Sequence, residues 1–418
     1  MDPTLIAIIS LASLAGAGLG VFSGLTPGIH ANTLASVLLV AYPTLQSMVS
    51  GFVSEGDAAV TVCACIMSAS VVHSFVDFVP SVFIGAPDSE DAVSILPGHR
   101  MVLQGRGMAA VRAAAIGSLI GCSVAIALSV PLQYIMLNGA EETVDRFTPV
   151  VLLVASSILI LNEARRGRAI VGLICFILSG CLGIMCGVLP IPSHGILGEG
   201  TLLFPMLTGL FGIPVLMVAA TGNGIPGQSD DGRDPVGVVP GLKGVLTGCI
   251  AGWFPGITST VGASMSACFM SDERPEGFIS TVASIGTVTS VLSLVTLSVS
   301  GSGRSGSAIV IGEIMGDSIR GFMSEPFLLI LMSTAIASMA GYVLTIWSGK
   351  LMTSMVSRID ERRMNRAVSV LLIILVLLLT GPSGLLVLVC AIAIGHIPTE
   401  WGTGRTVLCG CLILPVLL

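Results

Sequence analysis

Long apolar runs alternate with short polar connections along the whole chain. Runs such as 4–22, 108–137 and 278–300 can each cross a bilayer as one α-helix, because a spanning helix needs about 20 apolar residues. Shorter runs, such as 28–42 and 148–162, predict half-spans or re-entrant hairpins, and the ten-residue alternation of a membrane β-barrel is absent from the sequence. The pattern predicts an all-α polytopic membrane protein with about 10 to 12 transmembrane segments.

Composition supports the same class. The 418 residues are 53% hydrophobic and 10% charged, whereas soluble domains carry about 25% charged residues. A net charge of −6 without a basic run argues against a nucleic-acid partner, so the expected surroundings are a lipid bilayer. The basic connections 162–168 and 350–366 are predicted to be cytoplasmic, in a multi-pass protein of a prokaryotic plasma membrane.

One short stretch occurs twice, as GVFSGLTPGIHANTLA at 20–35 and GCIAGWFPGITSTVGA at 248–263. The residues that recur at an offset of 228 are Gly20, Gly24, Pro27, Gly28, Ile29 and Ala35. A weaker echo at an offset of 216 aligns 85–92 with 301–308. We predict two repeated halves in inverted orientation: 1–190 and 241–418, joined by a connecting segment at 191–240. Within that segment, the Gly-, Pro- and Asp-rich stretch 221–235 predicts a flexible link.

Both copies interrupt an apolar run with Pro-Gly, which breaks a helix. Irregular backbone at bilayer depth is tolerated only against protein or a water-filled cavity, and a half-helix that begins at such a break offers free N–H groups to an anion. The predicted substrate-binding residues are Gly24, Thr26, Pro27, Gly28, His30, Asn32, Gly252, Pro255, Gly256, Thr258, Ser259 and Thr260. The alternative is that the breaks are packing kinks whose polar residues cap their own helices.

Ionisable residues supply two further candidates. Asp88 and Arg304 occupy corresponding positions of the two halves, so they could handle a cation and an anion, or both turns could simply be solvated. His73 and Asp77 are four residues apart and would share one face of a helix. They are predicted to bind the coupling ion, with a buried structural hydrogen bond as the alternative.

The chain resembles the large membrane subunit of the tripartite tricarboxylate transporters, from about Gly18 to Met323. The segments that carry the resemblance are Gly20–Ala35, Gly248–Ala263, Gly85–Asp91, Gly98–Gly107 and Gly195–Met217. The turn at Leu297–Gly303 departs from the pattern of the family, which has Leu-Gly-Ile-Pro-Gly there. The resemblance implies a permease that works with a small membrane subunit and an extracytoplasmic binding protein.

Taken together, the sequence predicts an ion-gradient-driven transporter for a small organic anion, a di- or tricarboxylate, that works by alternating access. No cofactor is predicted apart from a bound sodium ion or coupling proton, and a homo-oligomer remains open. One alternative is a translocase of an anionic lipid such as a polyprenyl phosphate, because the same N–H groups would accept a phosphate. An intramembrane enzyme that uses His73 and Asp77 and a passive channel are further alternatives.

Overall fold

The structure, a computed structural model, describes residues 2–26, 31–84, 95–189, 191–196, 198–199, 202–219, 226–233, 235–254, 262–263, 266, 274–356 and 361–417. Its α-helices are α1 Pro3–Leu25, α2 Ala31–Val49, α3 Glu55–Val76, α4 Phe78–Ile84, α5 Ile95–Leu103, α6 Gly107–Ile135, α7 Glu141–Arg165, α8 Ala169–Val188, α9 Leu203–Leu207, α10 Ile213–Ala219, α11 Val239–Trp253, α12 Pro275–Ser300, α13 Gly306–Met315, α14 Glu325–Val356, α15 Glu361–Trp401 and α16 Gly410–Leu417. The shorter elements are π-helical Met136–Ala140 and Thr208–Gly212, 3-10 helical Gly316–Ile319 and Arg405–Cys409, and the antiparallel strands β1 His194–Gly195 and β2 Gly198–Glu199.

Eight helical stretches of the described chain are long and apolar enough to cross a membrane. They are Pro3–Leu25, Glu55–Ile84, Gly107–Val144, Arg146–Arg165, Ala169–Gly187, Pro275–Ser300, Glu325–Val356 and Asn365–Trp401. These helices confirm the predicted all-α polytopic membrane protein. Shorter apolar helices lie at Leu34–Val49, Leu203–Gly212 and Arg405–Leu417, and the number of crossings stays a prediction because it depends on which of these cross.

The helices α3 and α12 form the centre of the fold. In the most apolar stretch of α3 and α4, 94% of the residues are buried, and in α12 the share is 89%. The corresponding share is only 33% in α1 and 28% in α7, so these helices present most of their apolar side chains outward. Polar side chains on α3 and α12 are therefore held inside protein, where polar groups in membrane proteins usually serve packing or function.

Glycines at every fourth position let α1 pack closely against α3. No side chain separates the two backbones at these positions. The contacts run in order along both helices, with Gly16 against Cys65 and Ser68, Gly20 against Ala69 and Val72, and Gly24 against His73 and Val76. Since the order increases along both helices, α1 and α3 run parallel.

The pair α11 and α12 repeats these contacts. Its glycines lie 228 residues after those of α1, and their partners lie 216 residues after those on α3. The contacts are Gly244 against Thr281 and Ser284, Gly248 against Ile285 and Val288, and Gly252 against Thr289 and Leu292. The two offsets found in the sequence therefore describe two helix pairs with the same packing.

Each central helix also packs against a long helix of the other half. Ser333 of α14 donates a hydrogen bond to the carbonyl of Ala64 on α3 (2.7 Å), and Gly341 lies against Phe75 further along. These contacts make α14 parallel to α3. By the same reasoning α6 is parallel to α12, because its contacts are Gly117 with Ser280 and Gly121 with Ser284.

The helices α6 and α14 run in opposite directions. Val111 near the start of α6 lies against Gly349 near the end of α14, while Cys122 lies beside Ser338. Because α14 follows the direction of α3 and α6 follows that of α12, the two central helices run antiparallel to each other.

Two glutamines hold corresponding turns in the two halves. Gly105 and Gly321, again 216 residues apart, both have positive φ, at 77° and 95°. Gln228 accepts a hydrogen bond from the N–H of Gly107, after the first turn, and Gln133 accepts one from Met323, after the second; both distances are 2.9 Å. The same backbone position is thus held twice, from different parts of the chain.

The predicted flexible link is wrong for residues 226–233, which are tied to the turn between α5 and α6. Gln228 donates to the carbonyl of Val102 (2.9 Å), and the N–H of Ser229 donates to that of Gly105 (2.9 Å). Arg112 and Asp230 add a bidentate ion pair with two contacts of 2.8 Å. Composition shows that this backbone can bend, but it does not reveal the hydrogen bonds that fix it.

The helices α7, α8, α9, α10 and α16 form a group together with α15. This helix is sharply kinked at Gly381 (φ 69°), where the carbonyl of His194 on β1 approaches the glycine. Gly209 and Gly395 bring the π-helical turn close to α15, and α16 packs along α8. The predicted division at 190 and 240 stays a prediction.

Candidate functional site

Polar groups from both halves meet where α13 begins. The N–H of Gly306 donates a hydrogen bond to Oδ1 of Asn32 at the start of α2 (3.0 Å). Ser305 caps the same helix, because its Oγ accepts from the N–H of Ala308 at 3.3 Å. A Cβ at position 306 would lie 2.6 Å from Cγ of Asn32, so a glycine is required for this approach. The start of α2 and the turn at 301–305 are therefore neighbours in space.

Ser293 holds the turn that leads into α13. Its Oγ accepts hydrogen bonds from the N–H groups of Arg304 (2.8 Å) and Ser305 (2.7 Å). Gly301 ends α12 in the left-handed conformation, with φ 73°, which lets the chain turn back sharply. The acceptors known for the N–H groups at this turn are thus neutral oxygens of Asn32, Ser293 and Ser305.

Behind this turn, a series of hydroxyl groups leads toward α3. Ser307 lies 3.1 Å from Ser305 and 3.0 Å from Ser70 of α3, as measured between hydroxyl oxygens. One helical turn along α3, Nδ1 of His73 lies 2.9 Å from Oγ of Ser23 on α1. These side chains join the paired helices of the first half to α13 of the second half.

His73 and Asp77 are both buried, at 3% and 4% exposure. Asp77 follows α3 in helical conformation and its N–H donates to the carbonyl of His73, so the four-residue spacing places both on one face. The hydrogen bond of His73 to Ser23 shows that the imidazole is also part of the contact with α1. Binding of a coupling ion by this pair stays a prediction.

The other predicted residues fall into two groups. Gly24 lies near the end of α1 and Gly252 near the end of α11; these helices end two residues before their Pro-Gly breaks, as the proline positions predict. Thr26 caps α1 and donates its hydroxyl hydrogen to Phe22 (2.7 Å), and Arg304 is exposed beside α13. The predicted residues outside the described chain are Pro27, Gly28, His30, Pro255, Gly256, Thr258, Ser259, Thr260 and Asp88.

We call the place where the start of α13 meets α2, α3 and the end of α12 the α13 junction. Sequence reasoning missed most of the serines there. They are Ser23, Ser70, Ser293, Ser305 and Ser307. A signal was present in the run GSGRSG at 301–306, which has the spacing of a dinucleotide-binding loop but stands between membrane helices. The glycines and serines of this run instead form the turn and the cap of a short helix, α13.

The arrangement suits an anion better than a metal ion. A carboxylate would compete well with neutral acceptors for these N–H groups, because charge-assisted hydrogen bonds are about twice as strong as neutral ones. The dipole of α13 adds a favourable partial positive charge at its N-terminus. Within the described ranges, no group of three or more His, Cys, Asp or Glu side chains is placed to hold a metal ion.

Comparison with known proteins places these features in a family. The chain is 28% identical to an uncharacterized protein of the archaeon Methanocaldococcus jannaschii over 298 residues, which are 69% of this chain and 68% of the relative. No solved structure gives a significant match. The profile of the tripartite tricarboxylate transporter TctA family matches residues 11–410, nearly the whole chain. The chain therefore belongs to the tripartite tricarboxylate transporter TctA family.

Proposed function

We propose that the protein is the permease of an ion-gradient-driven transporter and that it binds a di- or tricarboxylate at the start of α13. The observation that carries this proposal is the hydrogen bond between Asn32 and Gly306. It joins the first broken stretch of one half to a helix N-terminus of the other, at a junction rich in hydroxyl groups. The family supplies the class of transporter, and the junction supplies groups that could recognise carboxylate oxygens.

Binding would replace the amide oxygen of Asn32 by a carboxylate oxygen. The N–H of Gly306 would then donate to the substrate, while the amide of Asn32 could turn and donate its own N–H groups. Arg304, exposed at the same turn, would contribute a full positive charge. A second carboxylate could be met by the serine hydroxyl groups or by residues of the second predicted break, Pro255 to Thr260.

The opposed directions of α3 and α12 support alternating access through inverted repeats. Two units with the same packing and opposite orientation can exchange conformations, so that a site between them opens first to one side and then to the other. The coupling ion, sodium or a proton, would bind at His73 and Asp77 of the first unit. The tripartite family implies a small membrane subunit and a binding protein as partners.

The test is uptake of radiolabelled citrate and succinate into proteoliposomes under an imposed sodium or proton gradient, with and without the partner subunits. The variant Gly306→Ala should lose most of the uptake, because the added Cβ displaces Asn32. Gly18→Ala is the matched control, since a Cβ there meets nothing within 4 Å. Gradient-driven uptake that Gly306→Ala retains in full would contradict the proposed site.

A further inference from the structure

Glu163 has a buried carboxylate and lies near the end of α7. Its side chain is only 2% exposed, and Oε1 accepts a hydrogen bond from Arg166 at 3.2 Å. Within the described part of the chain, Oε2 is buried and has no hydrogen-bond partner. Because an ionised oxygen without a partner is unfavourable inside protein, this atom calls for a donor or a cation.

Protein encloses this carboxylate on several sides. Gly172 of α8 packs against it, since a Cβ at position 172 would lie 3.1 Å from Cβ of Glu163. The turn after α15 covers the head group, because a Cβ at Gly404 would lie 2.8 Å from Oε1. Arg168 fixes this turn by donating to the carbonyl of Gly402. The carboxylate is thus enclosed by α8 and by the turn after α15.

Thr403 brings a second oxygen to the same place. The residue is 8% exposed, and its Oγ1 has no oxygen or nitrogen partner among the described residues. The thiol of Cys175 on α8 is a weak hydrogen-bond partner of Thr403, which a bound ion would replace, and it lies within electrostatic range of Glu163. Thr403 thus lies next to Gly404 in the turn that covers the Glu163 carboxylate, although the two residues are 240 positions apart in sequence.

We propose that Oε2 of Glu163 and Oγ1 of Thr403 bind a small monovalent cation, for which sodium is the probe. Both atoms are hard oxygen ligands, and the negative end of the α7 dipole favours a positive charge at this position. Arg166 already shares the single carboxylate, so the site lacks the several acidic ligands that a calcium ion usually takes. Water would complete the coordination of the bound ion.

This site is separate from the His73 and Asp77 pair. It belongs to the group of helices around α7, α8 and α15, whereas that pair lies on α3. Only the use of the cation in transport rests on the proposed function; the binding itself does not. A sodium site here would tie the α7–α8 connection to the turn after α15.

The experiment is a thermal unfolding titration of the purified full-length protein with sodium chloride, in which choline chloride keeps the ionic strength constant. Sodium should raise the Tm of the wild type in a saturable way, by at least about 2 °C. Glu163→Gln and Thr403→Val should each lose this rise. Glu142→Gln, which changes an exposed acid in the first turn of α7, should keep it.

A wild-type Tm that does not respond to sodium would overturn the proposal, as would a full response in both site variants. Thr403→Val leaves the carboxylate in place, so it remains informative if Glu163→Gln folds poorly. The titration uses no substrate. A sodium response that Glu163→Gln and Thr403→Val lose, without any carboxylate uptake, would therefore contradict the proposed function and leave the cation site standing.

Discussion

On α3, Gly24 of α1 faces His73; on α12, Gly252 of α11 faces Thr289. Asp77 likewise corresponds to Ser293, which holds two backbone N–H groups. The glycine contacts are the same in the two pairs, but at these two positions ionisable residues occur only in the first pair. Glycine spacing therefore determines how the helices pack, while the polar positions between them are free to differ in chemistry. Transport with one coupling site needs this kind of difference between two similar halves.

The largest effect should come from filling the shared glycine positions. Gly20→Val and Gly248→Val should each destabilise the protein by about 3 kcal/mol, because the new side chain overpacks a close helix contact. A Cβ at position 20 would lie 2.8 Å from that of Val72, and one at 248 would lie 2.7 Å from that of Val288. Thermal unfolding in detergent measures both, with Gly18→Val as the control. A large loss for one glycine alone would show that the two pairs are not equivalent.

The second largest effect on stability is expected at the two glutamines that hold the turns, Gln133 and Gln228, and it should differ between them. Gln133 is fully buried, so Gln133→Ala should cost about 2 kcal/mol by leaving the N–H of Met323 and the carbonyl of Gly321 without this partner. Gln228 is partly exposed and water can replace it, so Gln228→Ala should cost less than about 1 kcal/mol. Chemical or thermal unfolding compares the two directly. Equal losses of stability in the two variants would contradict the expectation that the buried glutamine contributes more than the partly exposed one.

The difference in polar residues between α3 and α12 should change how strongly uptake depends on the ion gradient. His73→Asn and Asp77→Asn should reduce gradient-driven uptake by about tenfold or more, equivalent to ~1.4 kcal/mol. Thr289→Ala and Ser293→Ala change the corresponding positions. Ser293→Ala should lower total uptake because Ser293 holds the turn into α13, but in both variants the ratio of uptake with and without the gradient should stay unchanged. The measurement is uptake with and without the gradient. A loss of gradient response in the α12 variants would place coupling in both halves.

The smallest effect should come from the segment 226–233, here called the strap, which is tied to the start of α6. The hydrogen bond from Arg112 lowers the pKa of Asp230 below its usual value. A lowered pKa means that the carboxylate stabilises the folded state above the unfolded pKa of about 3.9, and that this contribution disappears as the pH falls through the folded pKa. Asp230→Asn should therefore lower stability by at most about 1 kcal/mol at neutral pH.

The pH dependence of that variant gives the check. The Tm difference from the wild type should be complete above pH 5 and shrink below about pH 4. Asp317→Asn is the control, because the Asp317 side chain is 87% exposed beside Arg320 and should show almost no difference. A Tm difference for Asp230→Asn that persists unchanged in acid would rule out the ion pair as its cause.

Much of the membrane core follows from the sequence. Proline positions predict where α1 and α11 end, and the two numerical offsets also relate the contacts of α1 with α3 to those of α11 with α12. Both signals are local or repetitive, so they can be read from spacing alone. The four-residue spacing of His73 and Asp77 likewise predicts that both side chains lie on one face of a helix.

The junction at α13 could not be predicted in this way. Asn32 and Gly306 are 274 residues apart, and Ser70 and Ser307 are 237 apart. Such contacts depend on how whole helices are placed, which no local pattern encodes. The strap shows the same limit, because its glycines and aspartates predict a bend while its partners lie more than 100 residues away.

The most direct measurement is binding of radiolabelled citrate, with unlabelled di- and tricarboxylates as competitors, to the purified wild type and to Asn32→Ala. The account predicts that the wild type binds and that Asn32→Ala weakens binding by at least about tenfold. Asn138→Ala, which changes an exposed asparagine in the π-helical turn after α6, should bind like the wild type. Unchanged affinity in Asn32→Ala would contradict the claim that the carboxylate is held where the two halves meet.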